Sequence, residues 1–381
     1  MKEKSSKRVK KISRLLIGFL ITAVIGYTIG YLSITWFPEA SGGELFFIFP
    51  ALIIFILLGY VIQILIHEAG HLVFGLLSGY QFSSFRVGNV VLFKQDGQFK
   101  TGKYSIPGTG GQCLMGPPAY NDGSFPFVLY NSGGVLMNLI ATVVIGLFLF
   151  AGLSLWVNLA IIGFILGGLL TAATNGIPMT IGGIPNDAQN IRVMKEDKNL
   201  RYAFWFQLHA NHLLTDGKRP KELELAIDDL DGIAETDLDQ PLNTAIHLIR
   251  YNRSLDGHNF VEAKKILDEF APYERNMMPL YQKELQFERL FLELVGGNRS
   301  EMVETLYTDE LLKHAKRVKG WPNHKRVLMA YDWFHKRDKE KAAASYEELK
   351  KVAETHPVLG EVRMELDLAE YIKKGMAARS D

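Results

Sequence analysis

Four apolar stretches, each about twenty residues long and free of charged side chains, constrain this chain more than any other feature: Leu15–Phe37, Leu45–Ile66, Val128–Gly152 and Trp156–Asn175. A helix needs about that length to cross ~30 Å of hydrocarbon, and only a helix or a closed barrel bonds all its backbone polar groups internally there. The overall net charge of +1 conceals an uneven division. Leu, Ile, Val, Phe and Gly dominate from Leu15 to Asn190, whereas from Arg192 onward Lys, Arg, Glu and Asp recur at helical spacings. The sequence therefore predicts a membrane-embedded domain at residues 1–190 and a cytoplasmic domain at residues 191–381. The expected fold class is an α-helical multipass membrane protein, with about four transmembrane helices and a small β-hairpin region, joined to an all-α, tetratricopeptide-like domain.

Orientation follows from the basic residues. The segment "MKEKSSKRVKKISR" carries seven Lys and Arg before the first apolar stretch, while Pro38–Glu44 carries none. The amino terminus is thus expected in the cytoplasm. Counting crossings returns His67, residues 81–125 and everything after Asn175 to that side of a cell membrane. The first stretch is longer than a signal-peptide core and no small-residue cleavage site follows it, so it reads as an uncleaved anchor. The basic tail reads as an orientation signal on an anionic leaflet, and no nucleic acid is expected as a partner. The lone cysteine, Cys113, excludes an intrachain disulfide and a multi-cysteine zinc site.

Chemistry is concentrated at the end of the second stretch, in "IQILIHEAGHLVFG". His67 and His71 stand four residues apart, hence on one helix face, where both rings can meet one metal ion. Glu68 projects about 100° away and can address a water instead. Of ten histidines only these two precede residue 209, and at that depth an unpaired polar group is costly. The pattern points to zinc-assisted hydrolysis. Catalytic zinc usually takes a third protein ligand. Asp96 and Asp122 sit in the turn sequences "KQDGQ" and "YNDGSFP", and no glutamate follows Glu68 until Glu196. Asp187, in "TNGIPMTIGGIPNDAQN", remains as ligand; its alternative role is a helix amino-terminal cap before "AQNIRVM".

In these parts residues 45–190 resemble the site-2 protease family of intramembrane zinc metalloproteases. His67, Glu68 and His71 match the family's HExxH, "GGVLMN" at Gly133–Asn138 is similar to its central-span motif, and Asn175, Pro178 and Asp187 resemble its N-x-x-P followed by Asp-Gly. Val135 stands in place of the usual proline, Ala188 in place of the glycine, and the gap before Asp187 is longer. The resemblance implies an intramembrane endopeptidase with one Zn2+ held by His67, His71 and Asp187, and Glu68 as the base that takes a proton from water. It implies that Asn138 binds substrate or the developing oxyanion; an interhelical hydrogen bond is the other reading of that residue. The expected substrate is a membrane-spanning protein or peptide. A different class of reading keeps the metal but makes the chain a non-proteolytic scaffold or peptide-export accessory acting through its helical repeats.

Residues 81–125 alternate apolar and polar side chains around "QDGQ", which predicts a hairpin whose edge could pair with an unwound substrate; the glycines of "GTGGQ" suggest a gate. In the carboxy-terminal half Gly217, Gly257, Gly297 and Asp338 mark turns 40 or 41 residues apart, predicting stacked helical hairpins that bind a cytoplasmic regulator or simply stabilise the enzyme. His209 and His212 share a helix face but have no further ligand nearby, which favours an ordinary amphipathic helix.

Overall fold

The structure, a computed structural model, describes residues 42–377 apart from 96, 107, 182, 224–237, 239 and 319. The expected first span, Leu15–Phe37, and the basic amino terminus lie outside the described residues. What is described is mostly helical, with thirteen α-helices and a small antiparallel sheet. Three helices are long and apolar enough to cross a membrane. They are α1 (Gly42–Leu77), α2 (Phe127–Gly146, prolonged by a 3-10 turn at Leu147–Phe150) and α3 (Leu155–Gly176). Exposed side chains such as Leu57, Val61, Val143 and Phe150 cover them, an apolar surface that would be a liability in water. Helix α1 runs past the expected end at Ile66, because nothing breaks it before Ser78 and Gly79, where Gly79 takes φ 83°. His67, Glu68 and His71 therefore lie within one uninterrupted helix.

The chain forms two compact units. The first comprises the described residues of Met1–Gln63 together with Leu139–Thr171. Here α1 packs on α3 through Ile48, Leu52 and Leu159. Small residues let the backbones approach, since a Cβ at Gly163 would fall 2.6 Å from the Phe55 carbonyl carbon.

The second unit comprises Ile64–Asn138 and Ala172–Asp381. Its sheet contains β1 (Gln81–Val87), β2 (Val90–Gln95), β3 (Gln98–Lys103) and β4 (Gly111–Gly116) in the order β3-β2-β1-β4, all antiparallel. The expected hairpin is β2–β3, with Gln95 paired to Gln98 around the turn. Two short strands, β5 (Thr180–Ile181) and β6 (Ile184–Pro185), then lead into α4 (Asp187–Glu196) and α5 (Lys198–Thr215). One core joins Tyr80, Met115, Phe125 and Tyr130 to Met194 and Phe206.

Eight further helices follow: α6 (Pro241–Asp256), α7 (Phe260–Glu269), α8 (Pro279–Val295), α9 (Ser300–Leu306), α10 (Asp309–Arg317), α11 (Pro322–Ala330), α12 (Lys339–Thr355) and α13 (Leu359–Ala377). They share a second core around Leu285, Phe291, Val327 and Leu368. The four periodic turns fall at helix ends: positive φ recurs at Gly217, His258, Asn298 and Arg337, reversing the chain after a helix each time. Within this array Arg326 is fully buried and bonded to Glu288 and Glu365.

Candidate metal centre

Helix α1 supplies both imidazoles and the third group arrives from α4. His67 Nε2 lies 3.1 Å from His71 Nε2 and 3.0 Å from Asp187 Oδ2, which is 3.4 Å from His71 Nε2. Donors each about 2.0–2.1 Å from a tetrahedral zinc stand about 3.3 Å from one another, so the three atoms are spaced as such an ion requires. No fourth histidine, cysteine or carboxylate joins them among the described residues.

The other ring nitrogens decide what these three atoms can be. His71 Nδ1 lies 2.8 Å from the Tyr130 carbonyl, which can only accept, so the proton of that ring sits on Nδ1. His67 Nδ1 lies 2.8 Å from Asn138 Oδ1, with the same consequence. Both Nε2 atoms then bear lone pairs and face a carboxylate oxygen that is sealed from solvent and receives no donor. With both rings neutral, three converging acceptors are unstable unless a metal ion or an added proton lies among them.

Local sequence explains the placement. Asp187 is the first residue of α4 but does not cap it. Asn186 does, its Oδ1 accepting from Gln189 N at 2.9 Å. The Asn186 amide nitrogen also donates to the carbonyls of Thr174 and Ile177, each at 2.7 Å, tying the end of α3 to the start of α4. Asp187 is left free to turn toward the histidines. On α2, Gly133 allows contact with Gly70, whose oxygen would lie 2.7 Å from a Cβ there. A Cβ at Gly134 would fall 2.6 Å from both ring nitrogens of His67. The stretch "GGVLMN" thus makes room for one histidine and, through Asn138, orients it.

Glu68 abuts the start of β4, where a Cβ at Gly111 would come within 2.6 Å of its Oε1. Arg86, 2% exposed on β1, pins that region: it donates to the carbonyls of Gly88 at 2.7 Å and Gly111 at 3.2 Å and to Thr109 Oγ1 at 2.5 Å. The stretch "GTGGQ" is thus tied down by Arg86 at Thr109 and Gly111. Asp122 occupies its expected turn, with φ 52°. His212 accepts or donates at Ser83 Oγ, 2.7 Å away, and His209 stacks on Trp205, so neither enters the centre.

Sequence reasoning missed Tyr130, Asn186 and Arg86. It also missed a second buried group, Glu284, His314 and His324. That group is of a different kind. Both Nε2 atoms face the carboxylate, at 2.8 Å and 3.0 Å, and Asn323 donates to it as well. Donors meet an acceptor there. Burial opposes ionisation of Glu284, but these donors prevail and hold its carboxyl at about 2. Comparison of the chain with protein-family models, curated proteins and solved structures finds no match.

Proposed function

We propose that the chain is an intramembrane zinc endopeptidase of the site-2 protease type, cutting a peptide bond in or next to a transmembrane segment near the cytoplasmic face. The observation that carries this reading is the convergence of three ligand atoms, two imidazole nitrogens and one carboxylate oxygen, at one buried point. His67, His71 and Asp187 would hold the ion, and Zn2+ suits two imidazoles and a carboxylate with one position left open. Such an ion supplies Lewis-acid polarisation of a carbonyl and makes a water acidic at neutral pH.

The chain's own residues do the rest. Glu68, adjacent to His67 on the same helix, accepts the proton of the attacking water and returns it to the leaving amine. Asn138, fully buried with its oxygen on His67 Nδ1, acts as a positioning residue, and the Tyr130 carbonyl does the same for His71. Strand β4 ends the sheet, and its first residue abuts Glu68. A substrate unwound into an extended strand can pair along that edge, which presents its peptide bond where a helix would hide it. The helices after α5 form the tetratricopeptide-like part of this reading and recruit substrate or a cytoplasmic regulator.

Glu68→Gln tests the proposal. Cleavage should fall about 10²–10⁴-fold with bound zinc unchanged, and one single-span fragment should accumulate in the membrane proteome of cells carrying the variant. An unchanged proteome together with full zinc occupancy would leave the scaffold reading in its place.

A further inference from the structure

Away from the histidines, a cavity of about 280 Å³ opens where Tyr104, just after β3, meets helices α5, α6, α8 and α13. Four carboxylates line it: Glu284, Glu288, Glu361 and Glu365. Three are already engaged. Glu284 receives His314 and His324, while Arg326 bonds Glu288 at 2.7 Å and Glu365 at 2.5 Å. Glu361 has no hydrogen-bond or ion-pair partner among the described residues, and the lining amides of Gln207, Asn211 and Asn252 have none either. Polar groups without protein partners thus collect on one cavity, which is how sites kept for a ligand differ from packed interior. The remaining wall is aromatic, with Tyr104 stacked on Trp321 at 6.2 Å between centroids.

We propose that this cavity binds an organic cation, an alkylammonium or guanidinium group, with its charge met by Glu361 and its apolar surface by Tyr104 and Trp321. A single unengaged carboxylate matches one positive charge. A divalent metal would require several free oxygens at once, and the other three carboxylates have none to spare. Aromatic faces favour an organic cation over a hydrated inorganic one. The amides of Gln207, Asn211 and Asn252 supply acceptors for its N–H groups. The same chemistry is presented by a free basic amino acid and by a basic side chain of a polypeptide. This site does not depend on the hydrolytic reading of the histidines.

Calorimetric titration of the full chain in detergent micelles tests the proposal, using L-arginine, the blocked peptide acetyl-Ala-Arg-Ala-amide and uncharged L-citrulline. Arginine or the peptide is expected to bind and citrulline is not. Glu361→Gln should weaken binding at least tenfold. Asn211→Met, which fills the cavity instead of removing charge, should do the same, and Glu301→Gln on the exposed face of α9 should not. Binding of the peptide alone would assign the site to a basic side chain, and binding of arginine to a free cation. No binding of either, or binding indifferent to both cavity substitutions, would overturn the proposal.

Discussion

At His67 the informative atom is Nδ1, which points away from His71 and Asp187 and is held by Asn138. Losing that acceptor frees the ring to turn and to change tautomer, so Asn138→Ala should lower zinc affinity about 10–100-fold, while Asn138→Asp, which still accepts, should retain most of it. Competition with a chromophoric chelator reads both values. Asp187→Asn should leave the purified protein below one zinc per chain by elemental analysis; full occupancy would remove this carboxylate from the ligand set. His67, Glu68 and His71 were legible because their relation is local, fixed by one helical repeat. Asp187 was reached by elimination among the few acidic residues before Glu196. Tyr130 was not legible, since it contributes a backbone carbonyl that every residue possesses. Asn186 was hidden because it performs the capping that sequence allotted to its neighbour.

Among the elements, the close approach of α1 and α2 is what makes a centre out of a motif. Gly134→Ala isolates this effect. In a free helix the change should stabilise by about 1 kcal/mol, but here the added methyl meets the His67 ring. Zinc affinity should fall at least tenfold although helicity does not, and a circular-dichroism and metal-content pair of measurements separates the two. The hairpin β2–β3 could be read from "QDGQ", whereas β1 and β4 could not, because their pairing joins residues such as Phe85 and Cys113 across the intervening hairpin. Arg86 shows the same limit. Nothing local in the sequence marks it as buried, yet it is, and it donates to the carbonyls of Gly88 and Gly111. Arg86→Met should cost about 2–4 kcal/mol of stability by stranding those carbonyls.

For the whole molecule, three apolar helices were visible in the sequence to within a few residues of their ends, apart from the long continuation of α1. The turn period of the helical array was visible too, but its buried charges were not, since Arg326, Glu288 and Glu365 come from three separate helices. A neighbouring carboxyl, Glu361, gives the array a pH dependence. Burial, and then the charge of Glu365, push the Glu361 carboxyl up to about 7 from 4.5. The folded state therefore holds that proton more tightly than the unfolded one. Its contribution favours folding in acid and is lost as pH rises from about 4.5 through 7. Glu361→Gln should accordingly stabilise the ligand-free protein by about 2 kcal/mol at pH 8 and hardly at all at pH 4.5, in denaturant titrations at the two pH values. An equal gain at both would refute the assignment. Finally, His71 and Asp187 are separated by more than a hundred residues of chain. An ion gripping both therefore acts as a clasp that closes a very long loop, removing about 4 kcal/mol of chain freedom from the unfolded state. Stripping it should do more than silence a reaction: the link between α3 and α4 should open to proteases first, since the same atom that would equip the centre would also fasten α1 to α4.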